Sequence, residues 1–173
     1  MSIEKVKEAI RDVPDFPKPG VVFKDIAPVL GDPDLFRATI DCLEARYASM
    51  KIDKIAAIDA RGFLFAGALC DRMKIGLVPV RKKGKLPYDT YEETYDLEYG
   101  TATVAVHQDA FASGDRVLVV DDLLATGGTA KAAGSLIEKS GARVVGMAFL
   151  IELAFLNGRE KLAGFDVFAP IVY

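Results

Sequence analysis

Residues 117–129 read VLVVDDLLATGGT, an apolar run interrupted by two adjacent carboxylates and closed by a turn of small residues and hydroxyls. Ala125, Thr126, Gly127, Gly128 and Thr129 offer successive backbone N–H groups and two hydroxyls where a helix begins, which is equipment for wrapping one phosphate monoester. Asp121 and Asp122 serve some other purpose, because fixed negative charge beside such a turn repels a phosphate. Carboxylates there can accept hydrogen bonds from a neighbouring diol, and can hold Mg²⁺ indirectly through water. A ribose 5-phosphate meets both demands, since its rigid ring keeps the phosphate apart from the 2′,3′-diol. A bare DD or TGGT also has a plain structural meaning, an acidic helix N-terminus with a glycine turn, and the full string weighs against it.

Two further polar clusters follow apolar runs. Asp59-Ala60-Arg61-Gly62 closes KIAAI and sets an arginine among small residues, where a guanidinium can grip phosphate in bidentate fashion or simply cap a helix at the surface. Arg81, Lys82, Lys83 and Lys85 open the long polar stretch RKKGKLPYDTYEETYDLEYG. Such a basic run is usually a solvated turn. Its place at a strand end instead marks an anion site, and mutual repulsion favours a loop that is mobile until a polyanion arrives. Familiar nucleotide loops are excluded: GFLFAGA has Gly62 and Gly67 at Walker-like spacing but Ala68 where the lysine must stand, and no GxGxxG follows a strand.

These clusters need a frame that brings them together. KIAAIDARG, GLVPV, TATVAVH, RVLVVDD, RVVGMAFLIEL and FDVFAPIV read as strands, with Pro79 weakening the ladder of the second. Between them, residues 62–73 and GGTAKAAGSLIEKSG read as helices, the latter closed by Gly141, and LNGREKLAG as a short helical turn. Upstream, Ile3, Val6 and Ile10 recur at helical spacing. DFPKPGVVFKD reads as an ordered loop, and Asp32-Pro33 starts a helix running toward Met50. Apolar strands separated by helices imply an α/β fold with a mainly parallel sheet covered on both faces, and ligands bind such sheets at the carboxyl ends of the strands. All three polar clusters fall at that edge.

Composition narrows the class. The 173 residues are 51% hydrophobic and 27% charged with a net charge of −3, which suits one ordered domain and gives no global basic field for nucleic acid or an anionic membrane. The N-terminal MSIEKVKEAI has no signal-peptide apolar core, and the longest apolar runs are too short to span a bilayer, so a cytoplasmic setting is expected. Cys42 and Cys70 form no CxxC and are expected as buried free thiols; a single histidine, His107, leaves zinc without ligands.

FPKPGVVFKDIAPVL, DARGFLF, VRKKGKLP, YDLEYG, VLVVDDLLATGGT and IELAFLNGREKL resemble, in order and spacing, the type I phosphoribosyltransferases that use adenine, over essentially the whole chain. The resemblance implies a five-stranded parallel core sheet with helices on both faces, a small hood at about residues 14–30 with C-terminal contributions, a flexible catalytic loop at about 84–100, and a homodimer. It implies transfer of a phosphoribosyl group from phosphoribosyl pyrophosphate to adenine, giving AMP and diphosphate, with Mg²⁺ bound alongside the donor.

The same resemblance implies roles by residue. Asp59, Ala60 and Arg61 form the pyrophosphate loop. Arg81, Lys82 and Lys85, and more weakly Lys83, also engage pyrophosphate, with lysine reaching partly from the neighbouring subunit. Arg61 and Lys85 stabilise the departing charge. Glu98, beside Tyr99 in the LEYG loop that closes over the base, handles the proton shed by the heterocycle. Main-chain groups of Val22 and Lys24 read the purine with Phe23 or another apolar residue packing nearby; Lys24 stands where some relatives carry arginine, a change that a backbone contact tolerates. His107 is left outside the site. Two other functions remain open at this point: use of a different purine base, against which FPKPGVVFKD argues, and a non-catalytic phosphoribosyl-pyrophosphate-binding regulator, for which the chain shows neither a nucleic-acid surface nor an added domain.

Overall fold

The computed structural model describes residues 2–97 and 100–173. The chain divides into two compact units, Met1–Tyr47 and Ala48–Tyr173.

In the first unit, helix α1 (Ile3–Ala9) leads into a hairpin of β1 (Arg11–Pro14) and β2 (Val22–Asp25), followed by α2 (Ala27–Gly31) and α3 (Pro33–Tyr47). The helices pack on one another around buried Val6, Val29, Ile40, Leu43 and Tyr47. Asp32 caps α3 as its sequence predicts, its Oδ1 accepting from the N–H groups of Asp34 at 2.9 Å and Leu35 at 3.1 Å. The helix ends at Tyr47, short of Met50. The expected loop 15–25 is instead partly sheet: Val22–Asp25 pairs antiparallel with Arg11–Pro14. Four-residue strands broken by three prolines leave too little alternation for periodicity to register.

The second unit is one twisted sheet in the order β10-β8-β7-β3-β4-β6-β5, with β9 also paired to β8. Its strands are β3 (Lys54–Ile58), β4 (Gly76–Lys82), β5 (Thr90–Asp96), β6 (Thr101–His107), β7 (Arg116–Leu124), β8 (Arg143–Glu152), β9 (Val167–Phe168) and β10 (Ile171–Val172). The expected final strand is split at Ala169-Pro170, and both halves run parallel to β8. β3, β4, β7, β8 and this split strand form the five-part parallel core, with β6 antiparallel to β4. No helix separates β4 from β6, so the chain returns as a hairpin-like connection rather than a parallel crossover. Val80 C=O accepts from Asp59 N–H at 3.0 Å, so the alternate residue Pro79 turns its missing N–H away from β3, toward the side where pairing with β6 covers only Arg81 and Lys82.

Helices cover both faces. Ala56 and Ile58 of β3 join Val117 and Val119 in a buried cluster with Ala133 and Leu136 of α5 (Gly128–Lys139). Alternate β3 residues face the other way, and α4 (Gly62–Met73) packs on β3, β4 and β7 there. The Walker-like glycines Gly62 and Gly67 therefore lie in a helix.

The stretch 84–100, expected as a loop, holds β5, which pairs with β6 from Thr90↔His107 to Asp96↔Thr101. Tyr91 and Tyr95 share a face and pack on the core, but Glu93 between them hides the alternation from a hydropathy reading.

Candidate active site

β3 and β7 are parallel and pair from Lys54↔Val117 to Ala57↔Val120; β3 ends one residue later at Ile58, and β7 continues along β8 to Leu124. On the β3 side, Asp121 and Asp122 therefore flank the turn that follows β3, while on the other side Asp121 stays paired with Phe149 of β8. Gly62 makes that approach possible. A Cβ there would stand 2.8 Å from Val120 O and 3.0 Å from Asp121 Cα, both backbone atoms, so no larger residue fits without moving α4 off β7.

The turn delivers Arg61 to the acidic pair. Arg61 Nε lies 2.9 Å from Asp122 Oδ2, with the aspartate side chain only 5% exposed. The Asp121 carboxylate accepts from the Asp122 N–H at 2.8 Å. Burial pushes both carboxyls above their ordinary range. Asp121 rises well above it because the Asp122 charge adds to its desolvation, while Arg61 partly offsets the rise at Asp122.

β4 brings the basic run to the same edge. Arg81 Nε donates to Asp59 Oδ2 at 2.9 Å, and its Nη1 donates to the Lys85 carbonyl at 3.1 Å. The Asp59 carboxylate is thus engaged with an arginine, and what it can offer a polyanion is backbone; the peptide joining it to Ala60 is cis. Lys82 and Lys85 are exposed and close a turn through Lys85 N–H to Lys82 O at 3.1 Å, whereas Lys83 Nζ sits 2.7 Å from Glu92 Oε2. Carboxylates at Asp59 and Glu92 relieve the repulsion expected among these cations.

Residues Ala125–Thr129 line a small pocket with Asp121 and Phe149, about 80 Å³ in volume. A pocket that small, lined by backbone N–H groups and hydroxyls, suits a compact anion such as phosphate. Gly127, at φ +80°, immediately precedes α5 as its N-cap, and a Cβ on it would meet Gly158 O at 2.6 Å. Gly158 is pressed in turn against the Ala125 carbonyl and the Leu124 side chain. Buried Glu152 holds this support in place: Arg159 Nε donates to both its carboxylate oxygens at 2.8 Å, and Arg159 Nη1 donates to Val167 O at 2.9 Å. Tyr95 touches the turn from the other side, with its hydroxyl 2.8 Å from Thr129 Oγ1.

Gly158, Glu152, Arg159 and Tyr95 were not singled out by spacing, and Gly62 only as part of a rejected nucleotide loop and beside Arg61. The LNGREKL string carried a signal at Asn157-Gly158, where Asn157 takes φ +53°. Tyr95 immediately precedes Asp96 and shares a face with Tyr91, and nothing in its sequence context points to α5.

In the first unit, Val22, Phe23 and Lys24 lie on β2. Pro14 has no N–H, so Pro14↔Val22 is a non-hydrogen-bonded pair, and alternation turns the main-chain groups of Val22 and Lys24 away from β1. Phe23 stacks edge-on against Phe16 with centroids 5.2 Å apart, and Lys24 Nζ lies 2.6 Å from Asp12 Oδ1. Glu98 and Tyr99 lie outside the described residues. His107 is a β6 residue beside the Tyr88 ring, and of the two free cysteines Cys70 is buried but Cys42 only partly so, because α3 turns it to the edge of its buried face.

The model of the phosphoribosyl transferase domain family matches residues 32–163. Over 172 residues, 99% of this chain and 96% of the relative, the chain is 54% identical to the adenine phosphoribosyltransferase of Methylacidiphilum infernorum. Its structure is similar to the crystal structure of adenine phosphoribosyltransferase from Thermoanaerobacter pseudethanolicus, with a TM-score of 0.97, 49% identity, and 99% and 100% of the two chains covered. It is also similar to the Saccharomyces cerevisiae adenine phosphoribosyltransferase complexed with an imino-altritol bisphosphate and adenine, with a TM-score of 0.91, 40% identity, and 96% and 97% covered.

Proposed function

Given that this chain belongs to the phosphoribosyltransferase family, we propose that it transfers the 5-phosphoribosyl group of phosphoribosyl pyrophosphate to adenine, giving AMP and diphosphate. The observation that carries the site reading is the convergence at one sheet edge of an acidic pair, a phosphate-sized turn and two arginines, joined by the Arg61–Asp122 contact.

The 125–129 turn takes the 5′-phosphate on backbone N–H groups and the hydroxyls of Thr126 and Thr129. Asp121 and Asp122 accept from the 2′,3′-diol and hold the ring. Arg61, Arg81, Lys82 and Lys85 take the pyrophosphate, and their charge is worth most as the C1′–O bond breaks and its electron pair leaves with diphosphate. Both arginines are already held by carboxylates, so little reorganisation is needed when the polyanion arrives. Adenine N9 bonds to C1′, and Glu98 takes the proton that N9 sheds. The base is read by main-chain groups of Val22 and Lys24, with Phe23 against its plane.

The donor set suits a Mg²⁺ ion carried by the substrate. Among the described residues no group of three or more His, Cys, Asp or Glu forms a cage, and Asp121 and Asp122 are the kind of carboxylates that a hydrated Mg²⁺ meets through water. When bound with the diphosphate, it would screen the charge of the leaving group.

We assign the protein to the cytoplasm as a homodimer, in which lysines of one basic run reach the partner's site. Free cysteines suit that reducing compartment, and among the described residues no helix is long and apolar enough to cross a membrane. Incubation with Mg²⁺, phosphoribosyl pyrophosphate and each purine base in turn tests the reaction. AMP and diphosphate from adenine are expected, and faster turnover of hypoxanthine or guanine would overturn the substrate assignment.

A further inference from the structure

Tyr95 takes no part in the chemistry above, yet its side chain reaches from the β5–β6 hairpin to the phosphate turn. Its hydroxyl lies 2.8 Å from Thr129 Oγ1. Its ring is so close to Gly128 that a Cβ on that glycine would meet Tyr95 Cδ2 at 3.0 Å. The ring packs against the hydrophobic core, and its strand position is set by the pairing Tyr95↔Ala102, so the hydroxyl is delivered by a rigid element rather than by a wandering side chain.

A hydroxyl has one proton and accepts through its lone pairs. Within the protein alone, either oxygen of the Tyr95–Thr129 pair can be the donor. A phosphate dianion only accepts. Once it takes the Thr129 proton, the Tyr95–Thr129 hydrogen bond has one direction left, with Tyr95 donating. We infer that Tyr95 is a positioning residue for phosphate recognition, donating to Thr129 Oγ1 and so holding that hydroxyl as a donor toward the 5′-phosphate. This rests on reading residues 125–129 as the 5′-phosphate site. The relay runs from Tyr95 O–H to Thr129 Oγ1, and from Thr129 O–H to a phosphate oxygen, each bond polarising the next. Hairpin packing against α5 needs only the ring, which leaves the hydroxyl as the part with this use.

Tyr95→Phe keeps the ring and removes the hydroxyl. Calorimetric titration with ribose 5-phosphate and, separately, with magnesium diphosphate is compared across wild type, Tyr95→Phe, Thr129→Val, the double variant and Thr129→Ser. Tyr95→Phe is expected to weaken ribose 5-phosphate about 3- to 10-fold, the scale of one net hydrogen bond, with diphosphate affinity unchanged. The double variant is expected to bind no more weakly than Thr129→Val, and Thr129→Ser to retain wild-type affinity. Equal weakening of both ligands, or strictly additive losses in the double variant, would overturn the relay and leave Tyr95 a packing residue. No ribose 5-phosphate binding by wild type, or undiminished binding by Thr129→Val, would instead overturn the assignment of the turn itself and the relay with it.

Discussion

Arg61 reaches from the turn after β3 to Asp122 of β7, placing Nε 2.9 Å from Oδ2 of a carboxylate that is almost fully buried. The contact joins the two halves of the site, because one partner belongs to the proposed pyrophosphate grip and the other to the ribose clamp. Breaking a pair of which one member is buried costs more than the pair contributes, since a desolvated charge is left behind. Arg61→Gln is therefore expected to lower kcat about 100-fold or more through lost leaving-group stabilisation, and to lower the melting temperature as well. Steady-state kinetics and thermal unfolding on the same preparations check both effects. Loss of stability with unchanged kcat would reduce Arg61 to a structural role.

The acidic pair makes a prediction about pH. Burial holds both carboxyls above the ordinary carboxylate range in the folded protein. A raised native pKa means that the unfolded chain releases its protons first, so stability falls as pH rises from about 4 through the native values and is then constant. Asp121→Asn removes this penalty. Its gain in melting temperature over wild type should be small near pH 4 and should grow toward neutral pH, while activity is lost. A difference that does not change with pH would mean that burial does not raise the Asp121 carboxyl.

Gly62→Ala tests the close approach of α4 to β7. The added Cβ would stand 2.8 Å from the Val120 carbonyl oxygen, and backbone cannot rotate away as a side chain can. The variant should lose about 1–3 kcal/mol of stability and separate Arg61 from the acidic pair, raising KM for phosphoribosyl pyrophosphate. Chemical unfolding and kinetics measure the two consequences. Wild-type behaviour in both would show that the contact is easily relieved.

Glu98→Gln should lower kcat while leaving substrate affinity nearly unchanged, as expected for a residue that moves a proton in the transition state. The opposite pattern, weaker binding with preserved kcat, would remove it from that role.

Much of this site was legible from spacing because its chemistry lies on consecutive residues. Asp121 to Thr129 occupies one strand end and the following turn, and Arg81 to Lys85 another, so type and order were enough to mark them. The parallel core was legible for a similar reason: its buried strands are continuous apolar runs separated by helices. What spacing could not disclose were contacts between distant segments. Gly158 lies 31 residues beyond Gly127 in the numbering, and its fit beneath the turn depends on Glu152 holding Arg159. Lys83 carried only the weaker assignment within its run, and the partner that occupies it, Glu92, lies on β5, a strand whose alternation the sequence hides. Likewise, the resemblance assigns Asp59 to pyrophosphate, and only the structure places its carboxylate on Arg81.

The most direct test of the central claim, that Asp121 and Asp122 read a sugar beside a separate phosphate turn, is calorimetric binding of ribose 5-phosphate and of inorganic phosphate to wild type and to the Asp121→Asn/Asp122→Asn double variant. The double variant should stay folded, lose turnover, and bind ribose 5-phosphate at least about 10-fold more weakly, while binding inorganic phosphate as well as wild type or better because the neighbouring negative charge is gone. Near-normal activity with undiminished ribose 5-phosphate affinity would contradict the ribose-diol assignment.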